Sequence, residues 1–351
     1  MRIERLQQTL KEKNIDVALF FSLDNSTNTN TKYFTDYNGL GVFVVTKRAS
    51  FLLVPEMEYE KACQKYGKVY KTEKKKYLLE TLSKMLSKNK IKKVGIEESK
   101  CSVSLYKNLK KSLKSKYADI SMLCAEIRMV KEAREIKYIE TACSIADKVF
   151  AKICKDFKFK TENELRAFIE KEITATGCEL SFPPIVASGR SSSQPHYEGN
   201  KKITRGFLLL DFGAKYKGYC SDMSRTLYVG KPSKKELGYY ALVLGVLETC
   251  ERRVAKNVKF NELYNSTIEM FGLNSEFFTH ALGHGLGLEI HEPPSLYLED
   301  KKNIKDNIVF TIEPGLYFQG KYGIRIEDTV MLKNNRLKIL TKSRKELVII
   351  K

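Results

Sequence analysis

The chain has 351 residues, 42% of them apolar and 30% charged, and a formal net charge of +20. That length allows two domains with separate cores, and no apolar run approaches a membrane span, so an integral membrane protein is excluded. The lysine excess raises nucleic acid as a partner. Yet between Lys61 and Lys116, where the only acids are Glu73, Glu80, Glu97 and Glu98, there are no glycine-rich loops, aromatic RNP-like runs or Cys/His fingers. A solvated lysine surface is the favoured reading.

In chain order, MRIERLQQTLKEKNIDVALFF starts with charges and lacks a signal-like segment. It predicts an amphipathic helix, with Ile3, Leu6 and Leu10 on one face, feeding a strand over Val17–Phe21. Further strands are predicted at Gly41–Thr46, Phe51–Val54 and Lys93–Ile96, and helices at Met57–Tyr66, Tyr77–Ser87 and Ser104–Lys116. This alternation predicts an α/β domain over residues 1–125, which contains no histidine and no catalytic pattern. Residues 126–351 form the second domain. It opens on a predicted helix from Met129 to Lys155, with Ile139, Ala142, Ala146, Val149 and Ile153 down one side. Thr161 with Glu164, and Ser233 with Glu236, make capping boxes, and Gly177 closes the helix after the first box. Strands are expected at Pro184–Ser188, Phe207–Asp211, Tyr219–Val229, Val309–Ile312, Gly323–Leu332 and Leu337–Leu340. The eight cysteines form no CxxC pair and read as reduced, mostly buried side chains, which with the absence of an export signal makes the cytoplasm the expected compartment.

The stretch LLLDFGAKYKGYCSDMSRT, Leu208–Thr226, reads as a hairpin. With Tyr216–Lys217 as its turn, Asp211 faces Asp222 directly, at roughly 4.5–5.5 Å between Cβ atoms. Like charges so placed repel, and a divalent cation between them would resolve the repulsion. A solvated hairpin with two unrelated acids is the alternative at this point.

All four histidines, His196, His280, His284 and His291, lie in the second domain. In THALGHGLGLEIHE, Gly283, Gly285 and Gly287 let the backbone around His284 approach its neighbours closely; the stretch is neither HExxH nor a phosphate loop. VFTIEPG delivers Glu313 at a strand end. In GIRIEDTV, period-two alternation puts Arg325, Glu327 and Thr329 on one face. Arg325 then reads either as an ion-pair partner or as a clamp for a carboxylate. Four carboxylates and an imidazole exceed what one dication needs. Two ions roughly 3.5–4 Å apart would balance them, lower the pKa of water and activate it toward a carbonyl or phosphoryl centre. Oxygen-rich donors without sulfur favour Mn²⁺.

The order Asp211, Asp222, His284, Glu313, Glu327 resembles the pita-bread metallopeptidases, in particular their proline-directed branch, the Xaa-Pro aminopeptidases and dipeptidases. NTKYFTDYNG, FPPIVASG, the pair Pro195–His196, TIEPGLY and GIRIEDTV extend the resemblance over most of the chain. It implies an N-terminal creatinase-like α/β domain, then a pita-bread catalytic domain, commonly as a homodimer. It also implies two divalent ions, Mn²⁺ first, with Co²⁺ or Zn²⁺ as alternatives. Asp211 would hold one ion, His284 and Glu313 the other, with Asp222 and Glu327 bridging. Glu313 would act as general base. His196 and His291 would serve the tetrahedral intermediate or the leaving nitrogen. His280, Tyr317 and Arg325 would orient substrate and ligands. The substrates implied are peptides with proline at the second position. Two departures stand out: Ser224 replaces the usual Thr, keeping a hydroxyl, and Ser191 stands where Asn is common.

Two other classes compete with a peptidase. A silent relative binding peptide or nucleic acid, or a creatinase-like hydrolase acting without metal, would be expected to lose the ligand set, and all five positions are occupied here. A methionine aminopeptidase would lack the preceding domain.

Overall fold

The computed structural model describes residues 2–23, 27–74, 77–87 and 90–350. The chain divides into two compact units, Met1–Arg128 and Met129–Lys351. The first runs α1 (Arg2–Glu12), β1 (Val17–Ser22), α2 (Thr29–Thr35), β2 (Gly41–Thr46), β3 (Ser50–Pro55), α3 (Tyr59–Cys63), β4 (Val69–Thr72), α4 (Leu78–Ser87), β5 (Lys93–Ile96), α5 (Val103–Ser112), β6 (Lys116–Asp119) and α6 (Ser121–Met129). Its six strands form one mixed sheet in the order β4-β3-β2-β1-β5-β6. The apolar runs of β1, β2 and β3 are buried almost throughout, as a sheet covered on both faces requires.

The second unit contains α7 (Ala133–Lys155), α8 (Glu162–Thr174), β7 (Glu179–Leu180), β8 (Ile185–Ser188), β9 (Gly206–Asp211), β10 (Ala214–Tyr216), β11 (Tyr219–Cys220), β12 (Ser224–Val229), α9 (Lys234–Arg253), α10 (Phe260–Phe271), β13 (His284–Gly285), β14 (Glu292–Ser295), β15 (Val309–Ile312), β16 (Gly315–Phe318), β17 (Tyr322–Arg325), β18 (Asp328–Lys333), β19 (Arg336–Ile339) and β20 (Ile349–Ile350). Two sheets carry most of it, β20-β12-β9-β8 and β14-β13-β15-β18-β19. Ser233 and Glu236 form the expected reciprocal cap of α9. At α8 only half of the box forms. Thr161 accepts the Glu164 N–H, but the Glu164 carboxylate takes the N–H of Lys160 instead.

The helix expected from Met129 to Lys155 forms as α7 but begins only at Ala133, α6 having ended at Met129. Val130 bridges to Ile308, and the Lys131 N–H is spent on the Asn307 carbonyl, so the ladder is interrupted before Glu132 and Glu135 cap α7. The Leu208–Thr226 hairpin forms, but its turn is Lys217–Gly218, not Tyr216–Lys217. Both turn residues have positive φ, 52° and 87°, and glycine tolerates this far better than tyrosine does. Lys215 therefore pairs with Cys220 and Asp211 with Ser224. Asp222 is two residues from Asp211's partner. A two-residue slip preserves the face, so the two acids remain on one side as diagonal rather than direct neighbours. The predicted strand Gly323–Leu332 also breaks, at Ile326–Glu327, and its halves belong to different sheets.

Glu251 of α9 is buried, and both its oxygens bind the Lys345 ammonium, at 2.9 and 2.8 Å. Burial, and then the neighbouring Asp328, push its carboxyl up to about 7. The native state thus holds a proton that the unfolded chain releases near 4.5. This contribution to stability is present below that value and fades as pH rises through about 7. Glu251→Gln should flatten the decline in unfolding midpoint between pH 5 and 8; an unchanged slope would assign the decline to other groups.

Candidate metal centre

The five side chains expected to hold ions come from five places in the second unit. Asp211 ends β9, Asp222 precedes β12, His284 opens β13, Glu313 follows β15, and Glu327 occupies the gap between β17 and β18. Asp222, His284 and Glu327 each place one donor atom within 4.8 Å of the others. His284 Nε2 stands 3.4 Å from Asp222 Oδ2 and 3.5 Å from Glu313 Oε1. Its Nδ1 is 3.1 Å from the Gly285 carbonyl, which can only accept, so Nδ1 donates there and Nε2 is the nitrogen turned to the carboxylates. The flanking glycines permit this approach: a Cβ on Gly283 would stand 2.1 Å from the Thr311 carbonyl oxygen, and one on Gly285 2.2 Å from that of Pro293.

Three carboxylate oxygens, Asp211 Oδ1, Asp222 Oδ1 and Glu327 Oε1, are buried with no hydrogen-bond partner. Burial, together with the charges of Asp211 and Glu313, drives the Asp222 carboxyl far above its ordinary range. Burial, with Asp222 and Glu313 next, does the same to Glu327. Unsatisfied buried anions facing one another are costly in protein alone. The donor set, oxygen-rich with one nitrogen and no sulfur, fits divalent cations.

A second ring of groups holds these side chains in place. Arg325 Nη2 lies 2.6 Å from Asp211 Oδ2, so Asp211 rather than Glu327 is its ion-pair partner. Its Nε donates to the Ser224 hydroxyl at 2.8 Å, and that hydroxyl donates to Glu327 Oε2 at 2.8 Å. The hydroxyl kept at Ser224 thus joins the two acids through one arginine. Arg325 Nη1 donates to the Tyr317 hydroxyl at 2.6 Å, and Tyr317 lies 3.0 Å from His280 Nε2. His280 Nδ1 reaches the Ala281 carbonyl at 2.7 Å, so Tyr317 donates to a neutral ring whose pKa burial has lowered. The His291 ring centroid is 4.3 Å from that of His284, and burial also lowers the pKa of His291. His196 is exposed, yet close enough for its charge to disfavour protonation of both His280 and His291.

Sequence reasoning passed over Thr311. Its hydroxyl accepts the His284 N–H at 3.1 Å and donates to Glu313 Oε1 at 3.3 Å. The signal was present, because strand parity puts Thr311 on the face of Glu313. Thr329, placed on the Glu327 face, donates to the Asp222 carbonyl at 2.7 Å.

Residues 137–334 match the profile of metallopeptidase family M24, and residues 2–130 that of the creatinase/prolidase N-terminal domain. The chain is 34% identical to the Xaa-Pro dipeptidase of Pyrococcus horikoshii over 357 residues, covering 99% of this chain and 98% of the relative. It superposes on the Xaa-Pro dipeptidase from Bacillus anthracis with a TM-score of 0.93, 31% identity and 99% coverage of each chain. For the X-Pro aminopeptidase from Thermotoga maritima the TM-score is 0.89 at 30% identity, covering 98% of this chain and 100% of the other.

Proposed function

Because the chain belongs to metallopeptidase family M24, we propose that it is a dinuclear-metal peptidase hydrolysing the bond between an N-terminal residue and proline. The observation that carries this reading is the cluster of Asp222, His284 and Glu327 donors within 4.8 Å of one another, with Glu313 Oε1 3.5 Å from His284 Nε2 and buried oxygens of Asp211, Asp222 and Glu327 left without a hydrogen-bond partner. Asp211, Asp222, His284, Glu313 and Glu327 would hold the pair. When bound, such ions polarise a carbonyl and lower the pKa of water. An X–Pro amide has no N–H, and attack on its carbonyl does not require one.

The remaining work falls to the chain's own side chains. Glu313, tied to Thr311 and beside His284, is the proton acceptor for the attacking water. His291, held neutral, can donate a hydrogen bond to the developing oxyanion, while exposed His196 is available to the leaving proline nitrogen. Tyr317, His280 and Arg325 orient Asp211 and the substrate side of the site.

Manganese is the ion of choice, because the donors are mainly hard oxygens. A homodimer accords with the family, and the eight free thiols suit a reducing cytoplasm. Among the described residues no helix is long and apolar enough to cross a membrane. The test is hydrolysis of Xaa-Pro and Xaa-Pro-Yaa peptides by chelator-stripped protein. Activity should vanish on stripping and return with added Mn²⁺; full activity after thorough chelation would sink the reading.

A further inference from the structure

Among the described residues, the largest side chain buried to under 2% exposure is Arg225, on β12 beside Ser224. Its guanidinium reaches five acceptors. Nε donates to the Arg344 carbonyl at 3.1 Å. Nη1 donates to the Ser224 carbonyl at 2.9 Å and also to the Glu327 carbonyl. Nη2 donates to the Ser343 carbonyl at 2.8 Å and to Asp328 Oδ1 at 2.7 Å. A guanidinium has five N–H donors, so its capacity is filled. Only one of the five acceptors is a formal charge. The other four are main-chain carbonyls, which means the side chain dictates backbone geometry rather than merely neutralising an acid.

Two of those carbonyls bear on the metal centre. Glu327 lies where the strand breaks, and the ladder of neither flanking strand includes it. Its N–H goes to the Ser224 carbonyl at 3.1 Å, its carbonyl to Arg225, and its Oε2 to the Ser224 hydroxyl. The Ser224–Arg225 pair therefore fixes both peptide groups and one carboxylate oxygen of Glu327. That leaves Oε1 buried without a hydrogen-bond partner, in the field of Asp222, Glu313 and Asp211. The other two carbonyls belong to the tail. Ser343 and Arg344 are held by Arg225, while Lys345 Nζ lies 2.9 Å from Asp328 Oδ2 and Thr341 donates to Asp328 Oδ1 at 2.7 Å.

We propose that Arg225 is a positioning residue for the metal centre, and that segment Thr341–Lys345 is part of the device by bracing Arg225 and Asp328 behind Glu327. This rests on the dinuclear reading above. Lysine cannot replace Arg225, because a point charge with three donors on a flexible stem cannot serve five acceptors set in a planar fork.

The test is calorimetric titration of metal-stripped protein with Mn²⁺, beside its metal-free unfolding midpoint. Arg225→Lys keeps the charge facing Asp328, and we expect Mn²⁺ affinity to fall about tenfold or more. The peptide KM should hold while kcat drops. Affinity within twofold of wild type, whatever happens to the midpoint, would overturn the proposal. If Arg225→Lys does not fold, Lys345→Ala decides: its partly exposed side chain touches no ligand, and a severalfold loss of Mn²⁺ affinity is expected, whereas unchanged affinity overturns the tail's role and with it the device. Wild-type protein that binds no Mn²⁺ would sink the dinuclear reading itself, a result distinct from a wild type that binds and variants that bind equally.

Discussion

Asp222→Asn is expected to cut Xaa-Pro hydrolysis by about 10³-fold or more while leaving the metal-free protein at least as stable as the wild type. The two effects share one cause. Asp222 is 5% exposed, its Oδ1 has no partner, and Asp211 and Glu313 both raise the cost of its charge. Removing that charge relieves repulsion in the protein alone. On the proposed reading it also takes away an anionic ligand on which several kcal/mol of transition-state stabilisation would depend, at about 1.4 kcal/mol for each factor of ten in rate. Steady-state kinetics at saturating Mn²⁺, with calorimetric unfolding of the stripped protein, check both halves. A rate within tenfold of wild type, or a metal-free midpoint many degrees lower, would remove Asp222 from its bridging role.

Arg325→Ala should act in the opposite sense on stability. The Arg325–Asp211 pair is 2.6 Å long, with side-chain exposures of 3% and 13%. Truncating the arginine strands Asp211 in a site already crowded with carboxylates and leaves the Ser224 and Tyr317 hydroxyls without their common donor. Breaking a buried pair by removing one partner costs about 3–5 kcal/mol. In a unit of this size that corresponds to roughly 10 °C in the unfolding midpoint. Saturating Mn²⁺ should recover part of the loss, because a cation beside Asp211 supplies the missing positive charge. A metal-free loss under about 1 kcal/mol would mean that water already solvates Asp211. Arg325→Lys should fall between the two, since an ammonium can pair with Asp211 but cannot serve the other two acceptors in the same plane.

The donor types of the clustered side chains were readable because each motif is local. Leu208–Leu210 ending on Asp211 announces a buried strand with an acid at its mouth, and glycines around His284 announce close backbone approach. Strand parity placed Arg325, Glu327 and Thr329 on one face, and their side chains meet Asp211, the Ser224 hydroxyl and the Asp222 carbonyl respectively, even though the strand breaks between Arg325 and Asp328. The hairpin register was misjudged by two residues. A two-residue hairpin turn needs positive φ at both of its residues, which Lys217–Gly218 supplies and Tyr216 does not. A shift by two keeps the face, so Asp211 and Asp222 still lie on one side of the hairpin.

Local periodicity and donor chemistry, both written residue by residue, pointed to two units mixing helix and strand and to a cluster of carboxylates with a histidine in the second. Tertiary structure alone decided which partner each donor meets. Arg325 finds Asp211 across 114 residues, and Arg225 reaches Glu327, Ser343 and Arg344 at separations of 102, 118 and 119. Such pairings follow from how sheets and tail close on one another, where burial removes water as an alternative partner and forces each polar group onto the nearest acceptor. No spacing rule along the chain encodes that competition.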